Sequence, residues 1–221
     1  LFQFVEASDW FLNERKVNGG AYGAVIGVSD IERSMKVYSG ILGYDRLVYD
    51  KSGVFNDFNE LPGGDHEFRR VLLMQSKPFR GALSKLFGDS TIELISVKGR
   101  KPSKIFEDRY WGDPGFIHLC YDIKGMDQLK EHCLKEGHGF TVDSKKSHDA
   151  KGFDMGEAAG HFAYIEDPDG TLIEFVETLK IPIIKRLGWY IDLSKRHPEK
   201  RLPSWIIKTL RYSRIKDKKT A

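Results

Sequence analysis

Hydrophobic and polar positions divide the middle of the chain into two stretches with the same order of elements. Apolar and polar residues alternate in eight short segments bounded by Gly, Asp or Pro, a pattern that predicts β-strands. The predicted strands are 21–28, 44–50, 68–75 and 90–97, followed by 115–123, 139–143, 161–167 and 171–177. Two further segments, 31–42 and 126–137, show the apolar spacing of a helix, and a glycine ends each of them.

Each stretch therefore has the order βαβββ, which makes the chain an internal repeat. The predicted fold class is α+β, with a first unit at 21–98, a linker at 99–111 and a second unit at 112–178. Long insertions interrupt both units, at 76–89 and at 143–160, and the first of them could form a short helix. Such insertions are either binding loops and lids or solvated surface segments, and the sequence leaves both interpretations open.

The last strand of each unit carries a glutamate between apolar residues. Glu93 stands in the tripeptide IEL and Glu174 in IEF, while His118 shares one face of its strand with Cys120. A lone carboxylate in an apolar strand is costly to bury, so it is usually paired, hydrogen-bonded or bound to a metal. If both sheets curl around one cavity, Glu93, His118 and Glu174 could converge on a divalent metal. The alternative is that each is an ordinary solvated or hydrogen-bonded strand residue.

Composition adds few constraints. The chain has 221 residues, of which 40% are hydrophobic and 30% charged, as in ordinary globular proteins. No run approaches the roughly 18 apolar residues of a membrane span, and no signal-peptide pattern opens the sequence. Two cysteines, Cys120 and Cys133, do not suggest a disulfide scaffold, so a reducing, cytoplasmic setting is the expected localisation.

Three segments resemble the vicinal oxygen chelate superfamily, which includes glyoxalase I, methylmalonyl-CoA epimerase, extradiol dioxygenases and the bleomycin and fosfomycin resistance proteins. They are VSDIERSMKVYSGILGYD (28–45), IHLCYDI (117–123) and YIEDPDGTLIEFVE (164–177). The resemblance covers roughly residues 21–178. It implies paired βαβββ modules that form a curved mixed sheet around a cavity, with the modules paired within one chain or across a homodimer.

The resemblance also implies a ligand set for a divalent metal such as Zn, Ni, Co, Mn or Fe. Metal ligands of this superfamily lie on the first and last strands of each module, which gives Glu93, His118 and Glu174 here. The fourth ligand position falls on Gly23, which has no side chain to donate. Either the site keeps three protein ligands and leaves positions for water or substrate, or the metal has been lost.

A ligand at Glu93 is typical of the glyoxalase I and methylmalonyl-CoA epimerase branch. The resemblance therefore implies a lyase, isomerase or epimerase that acts through a metal-stabilised enolate on a small oxygenated substrate. Glu174 or Glu93 would be the general base. Tyr164 would lie opposite Glu174 and could donate a proton, although a packed aromatic residue is an equal alternative. His161 is expected to point away from the cavity.

Two other functions compete with this one. A protein of the bleomycin-resistance kind would bind a ligand in the same cavity without a metal. A dioxygenase is the third candidate, but Gly23 stands where such enzymes carry a histidine. Candidate substrate-binding residues are Gly23, Cys120, Phe162 and Arg70. A basic cluster around the first insertion could clamp an anion or be a solvated surface, and it comprises Arg69, Arg70, Lys77, Arg80 and Lys85.

Both ends of the chain raise separate expectations. LFQFVE (1–6) nearly copies LIEFVE (172–177), with Gln3 at the position of Glu174, so it is interpreted as the final strand of a preceding, missing module. Chance or an added edge strand are the alternatives, and 7–20 would be a linker.

Residues 179–221 form a basic tail that is expected to be helical after Pro203, with Trp205, Ile206 and Leu210 on its apolar side. The tail could pack on the protein, dock a partner or touch an anionic membrane. The chain shows no nucleic-acid-binding pattern.

Overall fold

A computed structural model describes residues 21–78, 80–110, 112–147, 153–154, 159–184 and 188–209. The first unit contains four strands that form one mixed sheet in the order β1-β4-β3-β2. Its elements are β1 (Gly23–Gly27), α1 (Ile31–Met35, continued by a π-helical turn over Lys36–Ile41), β2 (Arg46–Gly53), a 3-10 turn (Asn56–Phe58), β3 (Phe68–Met74), α2 (Ser84–Phe87) and β4 (Thr91–Val97). The predicted βαβββ order is confirmed for this unit.

The second unit repeats the arrangement in a five-stranded sheet with the path β5-β9-β8-β6, in which β7 pairs with β8. Its elements are β5 (His118–Asp122), α3 (Met126–Lys135), β6 (Val142–Asp143), α4 (Ser144–Ser147), β7 (Phe153–Asp154), β8 (Ala159–Glu166) and β9 (Leu172–Thr178). In both units the first strand pairs in parallel with the last, and the other pairs are antiparallel. The predicted α+β fold class is confirmed.

The helix of the first unit begins where the sequence predicts. Asp30 is the N-cap in an extended conformation, and its side chain accepts a hydrogen bond from the backbone N–H of Arg33 at 2.8 Å. This bond satisfies one of the amide groups that a helix start leaves without a partner. The apolar face of the helix, which includes Ile31, Val37 and Tyr38, is buried against the sheet.

One hydrophobic core joins the two units. It contains the helix-facing residues of both sheets, such as Leu94 from β4 and Ile173 from β9, which are both fully buried. The Tyr38 hydroxyl donates a hydrogen bond to the buried Asp167 of the second unit at 2.9 Å. The Tyr44 ring packs edge-on against Tyr121, with 6.3 Å between centroids. Because apolar side chains from both units fill the same interior, neither unit buries its inner face alone.

The tail forms a hairpin before it forms a helix, which differs from the helical expectation. Strands β10 (Lys180–Ile184) and β11 (Trp189–Asp192) pair antiparallel, and helix α5 (Ser204–Thr209) follows directly after Pro203. The hairpin forms because Ile181 and Ile191 can both turn toward one apolar cluster. In α5 the buried residue is Ile207, whereas Trp205 is 62% exposed.

The first insertion and the tail share a second, smaller core, which we call the tail core. Its buried residues are Leu193, Leu202 and Ile207, and side chains of the first insertion pack against them, including Leu83 and Leu86. The Leu202 amide donates to the carbonyl of Ala82 at 2.9 Å. The tail therefore packs on the protein itself, one of the three expected roles.

Several sequence-based expectations fall on residues that lie outside the described ranges. These are the strand at 1–6, the linker at 7–20, Leu210, and most of the insertion between 148 and 158. Within the described ranges, none of the helices has the length and apolar character needed to cross a membrane.

Candidate metal centre

Three potential ligands meet where the first and last strands of the second unit lie side by side. His118 and Cys120 share one face of β5 because strand residues two apart point the same way. The parallel register places Cys120 opposite Glu174 of β9 and His118 opposite Leu172. Neighbouring strands lie about 4.8 Å apart, so all three side chains rise from one small patch of the sheet.

The geometry of this patch centres on the carboxylate of Glu174. His118 Nε2 lies 3.0 Å from Glu174 Oε2, and the side chains of these two residues are 22% and 17% exposed. The hydroxyl of Tyr164 donates a hydrogen bond to Glu174 Oε1 at 2.7 Å. Tyr164 stands directly opposite Glu174 in the β8–β9 ladder, and its ring meets the His118 ring edge-on at 5.7 Å. Glu174 is therefore held on both oxygens while the patch stays open to solvent.

The donor set fits a divalent transition metal. One ligand atom each from His118, Cys120 and Glu174 lie within 4.8 Å of one another. Ligands bound to a tetrahedral ion at about 2.0–2.3 Å are themselves about 3.3–3.8 Å apart, so small rotations of the side chains would complete the geometry. Imidazole, thiolate and carboxylate together suit Zn and neighbouring first-row metals better than Mg or Ca.

The thiol of Cys120 is protonated without a metal. Desolvation and a hydrogen bond with Glu174 raise its pKa to about 12. A bound cation reverses this effect, because a coordinating thiol gives up its proton to the metal site. The sequence alone indicated Cys120 only as a candidate substrate-binding residue. Its i, i+2 spacing from His118 was the signal that it could be a ligand.

One further carboxylate continues this face of β5. Burial raises the pKa of Asp122 to about 6, and the hydroxyl of Thr178 partly offsets that effect. The first insertion lies against it, since a Cβ added at Gly81 would be 4.0 Å from Asp122 Oδ2. The insertion therefore borders the end of the candidate site.

The structure does not bring the predicted ligand Glu93 into this group. Arg70 Nε donates to Glu93 Oε1 at 2.6 Å and Arg70 Nη2 to Oε2 at 3.2 Å, and the Tyr49 hydroxyl donates to Oε1 at 2.6 Å. Arg70 and Glu93 are only 5% and 3% exposed. The carboxylate at this position is thus neutralised by a guanidinium, which is how a protein can bury it without a metal.

Arg70 is enclosed on its other sides as well. Its Nη1 donates to Asp57 Oδ2 at 2.6 Å, and its guanidinium lies over the rings of Phe58 and Phe55 at 4.5 and 4.9 Å from their centroids. Phe55, Asp57 and Phe58 belong to the connection between β2 and β3, which therefore folds over this part of the sheet. Arg70, a predicted substrate-binding residue, is consequently engaged within the protein. Sequence reasoning missed Tyr49 and Asp57, which carried no motif.

Gly23 occupies the position equivalent to His118. Gly23 pairs with Thr91, and His118 pairs with Leu172, each two residues before the glutamate of the last strand. A Cβ added at Gly23 would lie 2.3 Å from the backbone carbonyl oxygen of Thr91. No side chain fits there without movement of the backbone, so the first unit supplies no ligand from this strand.

The remaining candidates are distributed around the site. Phe162 lies beside Tyr164, with 6.2 Å between ring centroids. His161 lies away from the site, because its Nε2 is 2.8 Å from Asp143 Oδ1. The basic residues near the first insertion do not form one clamp: Arg69 pairs with Asp50 and Glu32, Arg80 with Glu199, and Lys85 donates to Ser204.

Comparison with known families assigns the chain. Residues 24–156, more than half of the sequence, match the family model described as the Glyoxalase/Bleomycin resistance protein/Dioxygenase superfamily. The chain belongs to this superfamily. The match begins in β1 and includes β5, the strand that carries His118 and Cys120, whereas Glu174 of β9 lies beyond its end. No protein with curated function matches the sequence.

Solved structures resemble the chain at low sequence identity, and one of them shares its fold with a TM-score above 0.5. A glyoxalase family protein from Bacillus cereus is 12% identical with a TM-score of 0.52, over 75% of this chain and 97% of its own. One from Enterococcus faecalis is 13% identical with a TM-score of 0.49, over 72% and 97%. A mutant of glyoxalase I from Zea mays is 17% identical with a TM-score of 0.44, over 71% of this chain and 44% of its own.

Proposed function

We propose that this superfamily member is a metal-dependent lyase or isomerase of the glyoxalase kind, which moves a proton on the carbon next to a carbonyl group of a small oxygenated substrate. The observation that carries this proposal is the convergence of His118, Cys120 and Glu174, whose ligand atoms lie within 4.8 Å of one another on a solvent-accessible face. Members of the superfamily commonly use divalent metals, and this donor set suits one.

A divalent metal at these residues would supply Lewis-acid stabilisation for the negative charge that develops on the substrate oxygen. Three protein ligands leave room for the substrate, as is usual in catalytic rather than structural sites. His118 and Cys120 would hold the ion from one strand, β5. Glu174 would hold it from the neighbouring strand, β9, and the hydrogen bond from Tyr164 would orient its carboxylate.

The chain's own proton-handling groups are Glu174 and Tyr164. Glu174 is the candidate general base, because its side chain is 17% exposed, whereas Glu93 is buried and paired with Arg70. Desolvation, followed by the hydrogen bond to Glu174, raises the pKa of Tyr164 above its ordinary value. Tyr164 therefore stays protonated at neutral pH, and its single proton could pass from Glu174 to a substrate oxygen that gains charge.

Metal content of the intact protein tests this proposal. We expect about one Zn, Ni, Co, Mn or Fe per chain by elemental mass spectrometry, lost in His118→Ala and Glu174→Gln. Cys120→Ser should weaken the binding of Zn more than that of Mn, because the thiolate is the soft ligand. Glu131→Gln, on an exposed position of α3, is the matched control and should keep the metal.

Catalysis has its own measurement. Metal-dependent exchange of a substrate α-proton with solvent deuterium, screened over α-hydroxy carbonyl compounds and CoA thioesters, should disappear in Glu174→Gln. A protein that takes up no metal after reconstitution, or that exchanges protons equally well after chelation, would contradict the proposed chemistry.

A metal-free ligand-binding protein of the bleomycin-resistance kind is the second candidate. The observation that favours it is that the first unit has closed its half of the site, with Glu93 paired to Arg70 and no space for a side chain at Gly23. This function predicts ligand binding that survives chelation and His118→Ala alike. A dioxygenase would instead require Fe(II) and consume O₂, which an oxygen electrode detects.

A further inference from the structure

The tail carries exposed aromatic side chains that the proposed chemistry does not use. Trp189, Tyr190 and Trp205 are 54%, 40% and 62% exposed. We refer to these three residues as the aromatic rim. Isolated apolar residues on a surface are common, but several large aromatic rings on one small substructure mark a place of contact.

The three rim residues are distinct from the apolar side chains that the tail buries in its core. The hairpin turns Ile181 and Ile191 into the tail core, and α5 turns Ile206 and Ile207 into the same core. Because both elements pack on one core, the rim residues belong to one substructure. Trp189 follows the turn residue Gly188, whose φ is +62°, so this ring stands near the tip of the hairpin.

The sequence of the tail is strongly basic. Residues 180–221 contain thirteen Lys or Arg and three Asp or Glu. Among the described residues, Lys195, Lys200 and Lys208 are exposed, and Lys180 Nζ lies 5.1 Å from the centroid of the Tyr190 ring. One of the acidic residues, Glu199, is engaged by Arg80 of the first insertion. Exposed lysines thus lie on the same substructure as the aromatic rim.

We propose that the aromatic rim and its basic surroundings dock the protein on the surface of an anionic lipid bilayer. Tryptophan and tyrosine favour the headgroup region, where the ring meets acyl carbon and its polar atom meets water. Lysine and arginine side chains are attracted to anionic headgroups in the same plane. Contact of this kind is peripheral and requires no spanning helix.

Lipid fits this surface better than nucleic acid. Binding to a nucleic acid strand uses a basic groove that tracks the backbone, with rings placed for successive bases to stack on. Here Trp189 projects near a hairpin tip, which suits shallow insertion into a headgroup layer. The binding experiment therefore includes duplex DNA as a competitor of the vesicles.

Vesicle co-sedimentation of the intact chain tests the proposal. The protein should bind vesicles of phosphatidylcholine with about 30% phosphatidylglycerol and not vesicles of phosphatidylcholine alone, and salt should weaken the binding. Trp189→Ser combined with Trp205→Ser should reduce partitioning about tenfold or more. Each cation at an anionic surface multiplies partitioning about fivefold, so Lys195→Gln with Lys208→Gln should reduce it about twenty-five-fold.

Matched controls separate this surface from general effects of charge and apolarity. Tyr110→Ser removes an aromatic ring that is 84% exposed but lies in the linker between the units. Lys36→Gln with Lys135→Gln removes two exposed charges from helices of the two units. Both controls should bind as the wild type does. Since every substituted side chain is exposed, all variants should unfold at the same denaturant concentration as the wild type.

A second readout locates the contact. Brominated lipids should quench the tryptophan fluorescence of the wild type in anionic vesicles, and the double tryptophan variant should lose most of that quenching. Equal binding to neutral and anionic vesicles would overturn the proposal, as would tail variants that bind like the wild type. Displacement from vesicles by duplex DNA at a lower concentration than by anionic lipid would also overturn it.

Discussion

At the scale of single residues, Gly23 shows how close strand packing decides what a site can contain. A Cβ at Gly23 would lie 2.3 Å from both the carbonyl oxygen and Oγ1 of Thr91, whereas one at Gly27 of the same strand meets nothing within 4 Å. Gly23→Ala should therefore lower the free energy of unfolding by about 2–3 kcal/mol, through overpacking. Gly27→Ala is the matched control and should change it by less than about 0.5 kcal/mol. Chemical denaturation of both variants checks this, and equal effects would contradict the close approach.

Arg70 is the second residue whose environment allows a quantitative expectation. Arg70→Met leaves the buried Glu93 without its guanidinium, which should cost about 3–5 kcal/mol of stability. The double variant Arg70→Met with Glu93→Gln removes the unpaired charge and should recover part of that loss. Denaturant titration of the two variants measures the difference. If the double variant is less stable than the single one, the ion pair is not what makes Arg70 important.

At the scale of elements, a charge cluster fastens β6 to α3 and β8. Asp143 has 2% of its side chain exposed, and it pairs with Lys130 Nζ at 2.6 Å and His161 Nε2 at 2.8 Å. Burial alone would raise the pKa of Asp143, but the hydrogen bonds with these two partners outweigh burial and lower the pKa to about 2. The carboxylate therefore contributes stability above its unfolded pKa of about 3.9, and that contribution is lost as the pH falls toward 2.

The pH dependence of unfolding tests this cluster. Between pH 4 and pH 2 the wild type should lose about 2 kcal/mol more than Asp143→Asn does, because the variant has no carboxylate to protonate. Asp65→Asn serves as the control, since the Asp65 side chain is 92% exposed. Parallel slopes for the wild type and Asp143→Asn would show that the cluster contributes nothing.

Elements also show where sequence reasoning succeeds and where it stops. Strand alternation and glycine turns predict both βαβββ units, and the DPDG turn places Tyr164 opposite Glu174 because hairpin length fixes the register. The tripeptides IEL and IEF predict the same environment for Glu93 and Glu174. The difference comes from the neighbouring strands, β3 and β8. Leu72 of β3 pairs with Glu93, and Tyr164 of β8 pairs with Glu174. Arg70 and Phe162 occupy equivalent positions, two residues before these partners. Only the paired strands reveal that this arginine reaches Glu93.

At the scale of the whole molecule, the tail core joins the C-terminal segment to the first insertion. Ile207→Ala should remove buried contacts worth about 2–4 kcal/mol and loosen α5 together with α2. Hydrogen exchange followed by mass spectrometry should show faster exchange in 80–88 and 189–207, with little change in β8 and β9. Trp205→Ala, at an exposed position of the same helix, should leave the exchange pattern as it is. Exchange that rises everywhere in Ile207→Ala would mean that the tail core is not a separate unit of stability.

The parallel pairing of first and last strands has a consequence for biosynthesis. Gly23 of β1 pairs with Thr91 of β4, and His118 of β5 pairs with Leu172 of β9. During translation, the first strand of each unit cannot pair with the last strand until the ribosome has synthesised the whole unit. Such distant pairing slows folding, because the intervening loop must be closed first. The half-made chain consequently keeps an unpaired β-edge exposed during translation, the period in which it would most need protection from aggregation.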